Sequence, residues 1–150
     1  MKKASTPIRK ICSIDYVYDY TKGDNITGRY CGPACIAMLT GIAFERIIEQ
    51  MKQEYKVTKQ VLKKYLDYYG IKYAPKSISI AKSERMQQEN LPDICILRML
   101  IADENGEFKF KKDRGHWGIY FKGKFYDPDY GVHKTCPPQV KVFQIWEIYS

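Results

Sequence analysis

Cysteine and histidine are the residue types in this chain that could together form a nucleophilic site. A cysteine attacks as its thiolate, so it needs a field that favours negative charge, a base, and hydrogen-bond donors for the oxyanion of the attacked carbonyl. The sequence has only two histidines, His116 and His133. Its five cysteines are Cys12, Cys31, Cys35, Cys95 and Cys136. The chemistry therefore depends on which cysteine can meet which histidine.

Cys31 stands between a predicted loop and a predicted helix. Residues 21–30 collect Gly, Asp, Asn and Thr, which are typical of a loop. The segment CGPACIAMLTGI, which begins at Cys31, predicts a helix, because proline is tolerated in a first turn. The start of a helix stabilises a thiolate, and Gly32 is expected to let a backbone or a substrate approach closely. Cys31 is therefore the expected nucleophile, and Cys35, one turn later among alanines, is expected to be a small buried side chain.

A β-hairpin is predicted to carry the base. The segments HWGIYF at 116–121 and KFYD at 124–127 read as strands, and Lys122-Gly123 between them is a good two-residue hairpin loop. A loop of this length pairs the last residue of the first strand with the first residue of the second. The sequence therefore predicts the pairing of the whole hairpin.

That pairing puts His116, Gly118, Asp127 and Asp129 on one face of the hairpin. Asp127 lies diagonally across from His116, about 7–8 Å away between backbones and within side-chain reach. A carboxylate there can fix the imidazole tautomer and stabilise the imidazolium, and Asp129 is a weaker candidate for the same task. The proline after Asp127 ends the strand, which leaves this carboxylate at the end of the sheet.

The loop before the helix offers an oxyanion donor. The side-chain amide of Asn25, six residues before Cys31, could donate to an oxyanion beside the backbone N–H of Cys31. Residues 8–20, before this loop, are rich in β-formers and are expected to be irregular or strand-like.

The remaining pattern predicts helices first and strands second. Apolar stripes at helical spacing occupy residues 43–52 and 58–69, where Thr58 is a plausible N-cap and Gly70 a plausible C′ residue. Residues 81–90 are polar and are expected to form a short helix or a surface loop. Besides the hairpin, strands are expected at 71–74, 77–80, 94–101, 107–111 and 140–149. Trp117 and Trp146 are expected to pack in the core.

This order predicts one α+β domain over residues 1–150, with an antiparallel sheet. The net charge of +8 comes from basic residues that are mostly spread among acids and aromatics, and no nucleic-acid-binding motif accompanies them. No apolar run reaches the roughly 20 residues that span a bilayer. The basic start lacks an apolar segment behind it, so a cytoplasmic protein with reduced cysteines is expected.

The motifs resemble those of a known family. GRYCGPACIAMLTG at 28–41 is similar to the catalytic segment of papain-like cysteine peptidases. Within that clan, the chain most resembles the peptidases that process bacteriocin precursors after a double-glycine leader. The further matching segments are VLKKYLDYYGIK at 61–72, Leu91-Pro92, GHW at 115–117 and DPDYG at 127–131, in the family's order.

The resemblance implies a papain-like fold, in which N-terminal helices carrying the cysteine pack on a C-terminal sheet carrying histidine and aspartate. It implies that Cys31 is the nucleophile, His116 the general base and acid, and Asp127 the orienting carboxylate. Asn25 stands where the family has its oxyanion glutamine and is one methylene shorter, and Tyr30 replaces the family's aspartate. The implied function is hydrolysis of a peptide or isopeptide bond in a protein or peptide substrate, by a free-standing thiol peptidase that needs no cofactor or metal.

Other functions fit the same residues. The domain could be an inactive binding or inhibitor protein, or it could use the same triad for acyl transfer or deamidation. A zinc site formed by Cys31, Cys35, His133 and Cys136 is a further alternative. The cleavage sequence and the oligomeric state stay open, because a single sequence shows neither.

Overall fold

The computed structural model describes residues 31–52, 57–81, 83–108, 116–128 and 130–149. Within these ranges three α-helices precede seven β-strands. The helices are α1 (Cys31–Thr40), α2 (Phe44–Met51) and α3 (Lys59–Tyr68). The strands are β1 (Lys72–Tyr73), β2 (Ile78–Ser79), β3 (Ile94–Ile101), β4 (His116–Phe121), β5 (Lys124–Asp127), β6 (Gly131–His133) and β7 (Val140–Tyr149).

All the strand pairs of the sheet are antiparallel, which confirms the α+β class. The strand order is β1-β7-β3-β4-β5-β6, and β2 pairs with β7 beside β1. The two long strands β3 and β7 form the middle of the sheet. The strands β4 and β5 extend the sheet from β3 and carry the predicted histidine and aspartate.

The helices begin and end close to the predicted positions. Thr58 is the N-cap of α3, because its side-chain oxygen accepts a hydrogen bond from the backbone N–H of Val61. Gly70 follows the helix with a φ of +73°, the left-handed conformation that glycine adopts without steric cost. Local chemistry therefore fixes both ends of α3.

The structure differs from the predicted strands at two places. Strand β6 was not expected, because Gly131–His133 lacks a run of β-forming residues. Residues 107 and 108 are not in a strand, and the rest of the predicted strand at 107–111 lies outside the described residues. The polar stretch 81–90 agrees with the prediction of a short helix or a surface loop, because its described part is a loop that ends in a single 3₁₀ turn, Gln88–Asn90. The segments 8–20 and 21–30 lie outside the described residues as well.

The sheet is covered on both faces. On one face α1, α2 and α3 pack on side chains of the sheet that include Ile96, Trp117 and Trp146. On the other face a second apolar cluster, which includes Leu97, Met99 and Phe125, is covered by loop side chains. The alternation of a pleated strand explains this division, since successive side chains point to opposite faces. Both tryptophans are buried in the helix-facing core, as expected.

Helix α1 is the most deeply buried helix that the described ranges contain. Every residue from Cys31 to Thr40 is buried, and the helix packs against α2 and β4. Small side chains make such close packing possible from several directions. The nucleophile predicted at its first residue is thereby held against the strand that begins with His116.

The turn between β4 and β5 fixes the hairpin. Lys122 and Gly123 have φ angles of +44° and +89°, as a two-residue type I′ turn requires. Phe121 lies opposite Lys124, and the pairing continues along both strands. The hairpin pairing predicted from the loop length is therefore confirmed.

No helix in the described ranges is long and apolar enough to cross a membrane.

Candidate active site

His116 and Asp127 form a buried pair at the end of the β4–β5 hairpin. The Nε2 atom of His116 is 2.8 Å from both Oδ1 and Oδ2 of Asp127. An ionised carboxylate only accepts hydrogen bonds, so Nε2 carries the hydrogen in this pair. The carboxylate thereby fixes the tautomer, and Nδ1 becomes the ring nitrogen that can exchange a proton with a nucleophile.

Tyr130 holds both members of this pair. Its backbone N–H donates to Oδ1 of Asp127 at 3.1 Å, and its ring meets the His116 imidazole edge-on at 5.9 Å between centroids. The hydrogen bond closes a turn in which the aspartate side chain accepts from a residue three positions later. Tyr130 therefore orients the carboxylate and covers one edge of the imidazole.

The thiol of Cys31 completes the cluster. Cys31 lies within hydrogen-bonding reach of the His116 side chain. Burial alone lowers the pKa of His116, but the hydrogen bonds to Asp127 and Cys31, together with the negative charge that each can carry, outweigh it. The net effect raises the pKa of His116 from 6.5 to about 10. The imidazolium form is therefore favoured beside these two groups at neutral pH.

The position of Cys31 suits an anionic sulfur. Cys31 is the first residue of α1, where the helix dipole favours negative charge. Backbone N–H groups in a first helical turn are not used by the helix's own hydrogen bonds, so that of Cys31 is a suitable oxyanion donor. The residue is only 3% exposed, so the reacting atoms are largely screened from water.

Gly32 does not leave open space beside the nucleophile, contrary to expectation. A Cβ at this position would come within 2.4 Å of Cγ2 of Val57. The backbone carbonyl of Val57 in turn accepts a hydrogen bond from the indole Nε1 of Trp117 at 2.9 Å. Val57 thus packs on the residue after Cys31 while bonded to the residue after His116. The close approach that Gly32 permits is made by this side chain rather than by a substrate.

None of the other described cysteines is the first residue of a helix, the position that favours an anionic sulfur at Cys31. Cys35 is fully buried in the helix-facing core, as expected. Burial is the main cause that raises the pKa of the Cys95 thiol, and it raises the pKa of Cys136 to about 11 with a contribution from the Asp127 charge. Both thiols are therefore held in the protonated form, which is a poor nucleophile. Cys12 lies outside the described residues.

Some predicted residues lie elsewhere or outside the description. Asn25, the expected oxyanion donor, and Asp129 are both outside the described residues. His133, named in the alternative zinc site, is exposed at the end of β6, with its Nε2 against the backbone carbonyl of Tyr130. Among the side chains that the structure describes, no three from His, Cys, Asp and Glu are grouped so as to hold a metal ion.

Two residues at the site were not singled out from the sequence. Tyr130 carries a weak local signal, because an aspartate often accepts a hydrogen bond from the backbone shortly after it. Val57 carries none, since nothing local relates it to Gly32 or Trp117.

Comparison of the chain with models of known protein families, with curated proteins and with solved structures found no match.

Proposed function

We propose that the protein is a papain-like cysteine peptidase that hydrolyses a peptide or isopeptide bond through Cys31, His116 and Asp127. The observation that carries the proposal is the contact between Cys31, at the start of a buried helix, and His116. The Nε2 atom of His116 is in turn hydrogen-bonded to the buried carboxylate of Asp127. Three groups in this order form a nucleophile, a base and an orienting acid. We further propose that the enzyme acts in the cytoplasm, where its thiols stay reduced.

The reaction proceeds through an acyl-enzyme. The Cys31 sulfur attacks the carbonyl carbon of the scissile bond, and the oxyanion that forms is stabilised by the backbone N–H of Cys31 and by the amide of Asn25. The His116 imidazolium then gives its proton to the leaving amine as the C–N bond breaks. Neutral His116 next takes a proton from water, which attacks the thioester and releases the carboxylic acid and the Cys31 thiolate, so that the thiolate and the His116 imidazolium are restored together.

Asp127 keeps the imidazole ready for both proton transfers. Its two oxygens hold Nε2, so that Nδ1 stays directed at the reacting atoms while the proton comes and goes. The raised pKa of His116 favours the imidazolium in the resting enzyme, which is the form that donates to the leaving amine. The same triad could transfer the acyl group to an amine or deamidate glutamine, so the reaction products must be identified as well as the reactive thiol.

The first experiment measures the reactivity of the thiol. Native protein is treated with iodoacetamide between about pH 5 and 9, and the modified cysteine is identified by mass spectrometry. We expect Cys31 to be alkylated well below pH 8.5, where an ordinary cysteine is half ionised, and we expect His116→Ala to abolish this reactivity. His133→Ala is the matched control, because His133 is exposed and lies on β6.

The second experiment identifies the reaction. A peptide library prepared from a digested proteome is incubated with wild type and with Cys31→Ala, and the products are compared by mass spectrometry. New peptide termini that appear only with wild type support a peptidase. Conversion of glutamine to glutamate without new termini would replace the peptidase by a deamidase. Alkylation of Cys31 no faster than that of an ordinary thiol would overturn the proposal and favour an inactive binding protein.

A further inference from the structure

A cavity of about 400 Å³ lies on the face of the sheet that the helices leave uncovered. Its walls come from the loop after β2, the loop after β3, the loop between β6 and β7, and the start of β7. Val140 and Val142, which form part of the wall, belong to the second apolar cluster rather than to the helix-facing core. The volume falls in the range of roughly 300–1,000 Å³ in which proteins bind small molecules.

Hydrogen bonds hold the walls of this cavity in position. The side-chain amide of Gln88 donates to the backbone carbonyl of Lys134 at 2.9 Å, which ties the loop after β2 to the loop before β7. The Cys136 thiol, which lines the cavity, faces the carbonyl oxygens of Pro137 and Val140 at 3.7 and 3.9 Å. The protein's own contacts therefore form the cavity, which lowers the free-energy cost of ordering it around a ligand.

The walls are apolar and offer few hydrogen-bonding groups. Met86 and Phe108 line the cavity with the valines and two prolines, and no side chain among the described lining residues carries a hydroxyl, amide or carboxylate. Pro137 and Pro138 have no backbone N–H, and the valines lie where the backbone of β7 is paired with β3. A peptide in this cavity would bury amide groups that lack partners, whereas a hydrocarbon chain has none to satisfy.

Two cationic side chains line the same cavity. Arg85 is exposed and Lys141 is half-buried, and none of the described lining residues is acidic. Long basic side chains pack their stems on apolar surface and keep their charged ends near water, so the charges belong at the mouth of the cavity. A carboxylate complements them, because a guanidinium can bind it through two hydrogen bonds.

Met99 separates the cavity from the candidate active site. Val142, Met99 and His116 lie side by side on β7, β3 and β4, on one face of the sheet. The Met99 side chain is buried, and its Cε would lie 2.6 Å from a Cβ at Gly118, so this side chain extends over β4. The cavity is therefore a second site, whose ligand is not held by the triad.

We infer that the cavity binds the anion of a medium-chain fatty acid, with its hydrocarbon chain against the apolar walls and its carboxylate at Arg85 and Lys141. The chain gains the free energy of leaving water, and the two cations neutralise the carboxylate. A small amphipathic anion accounts for the apolar walls, for the lack of hydrogen-bonding side chains and for both charges. The inference does not depend on the proposed function, since it uses no residue of the triad.

The test measures binding by calorimetry, below the concentrations at which the probes form micelles. Hexanoate, octanoate and decanoate are titrated into the full chain, and octanol and octylammonium serve as probes of equal chain length without the negative charge. We expect one site per chain, with binding about tenfold tighter for each added pair of methylene groups. Octanoate should bind on the order of tenfold more tightly than octanol or octylammonium.

Variants assign the charge to its residues. Arg85→Met should weaken octanoate binding several-fold without changing that of octanol, and Arg85→Met/Lys141→Met should bring the two affinities together. Arg46→Met is the matched control, because it removes an exposed arginine of α2, a helix on the other face of the sheet. It should leave every affinity at the wild-type value, and the circular dichroism spectrum of each variant checks that it is folded.

Protection of Cys136 locates the bound ligand. Cys31→Ala is treated with iodoacetamide at about pH 9, and the alkylation of Cys136 is followed by mass spectrometry with and without decanoate. Decanoate at saturation should slow this alkylation several-fold. The inference would be overturned if none of the three acids bound saturably, if octanoate and octanol bound equally well, if Arg85→Met left octanoate binding unchanged, or if bound decanoate left Cys136 unprotected.

Discussion

The Nε2 atom of His116 lies 2.8 Å from both carboxylate oxygens of Asp127, and the two side chains are 0% and 2% exposed. A pair so deeply buried is held by more than its own hydrogen bonds, because the hairpin turn fixes its register and the Tyr130 N–H fixes the carboxylate. Burying a charge is costly unless it is paired, so the pair stabilises the fold only as long as both partners are present.

The titration of His116 should depend on Asp127. The hydrogen bond to Asp127 opposes the effect of burial on the His116 pKa, so Asp127→Asn should move that pKa from about 10 to a much lower value. NMR titration of the histidine ring protons measures it directly. An unchanged His116 titration in Asp127→Asn would contradict the assigned pairing.

Stability should fall in alkaline solution through the same group. The folded protein holds His116 with a pKa of about 10, whereas an unfolded chain has about 6.5, so the folded state binds the proton more tightly. This contribution is complete below about pH 6.5 and is lost as the pH rises through about 10. Urea unfolding of wild type and His116→Gln measures it. The difference in free energy of unfolding between them should shrink as the pH rises, and a difference that grows would refute the sign.

Gly32→Ala should disturb the nucleophile through Val57. The added Cβ would meet Cγ2 of Val57 at 2.4 Å, so the helix or the valine must shift. We expect a loss of about 1–3 kcal/mol in the free energy of unfolding, with slower alkylation of Cys31. The double variant Gly32→Ala/Val57→Gly should recover part of the alkylation rate, because it removes both Cγ2 and Cβ of Val57, which would lie 2.4 and 2.5 Å from the added Cβ. Equally slow alkylation in the single and double variants would show that this contact does not position Cys31.

Substitutions in the β4–β5 turn should change the stability of the protein without altering the residues of the candidate active site. Lys122 has a φ of +44° in a two-residue turn, a conformation that asparagine adopts more readily than lysine. Lys122→Asn should therefore raise the free energy of unfolding by about 0.5 kcal/mol, while Gly123→Ala, at a φ of +89°, should lower it by about 1 kcal/mol. Thermal unfolding of the three proteins checks the order. Stabilisation by Gly123→Ala would contradict the turn geometry.

The sequence by itself was sufficient for what depends on neighbouring residues. The cap at Thr58, the left-handed Gly70 and the apolar stripe of α3 are local signals. The hairpin is local too, since a two-residue loop leaves one natural pairing, and strand alternation then puts His116 and Asp127 on the same face. Both members of the pair could therefore be predicted without any knowledge of the rest of the fold.

Only the tertiary structure decided the contacts between elements that are distant in the chain. It brings α1 against β4, so that Cys31 meets His116, and it seats Val57 against Gly32. It also places Phe143 of β7 and Trp117 of β4 on either side of Arg98. These contacts arise from the burial of apolar surface, whose favourable free energy has no direction and is gained by any close packing. No local pattern in the sequence can therefore specify which partners meet.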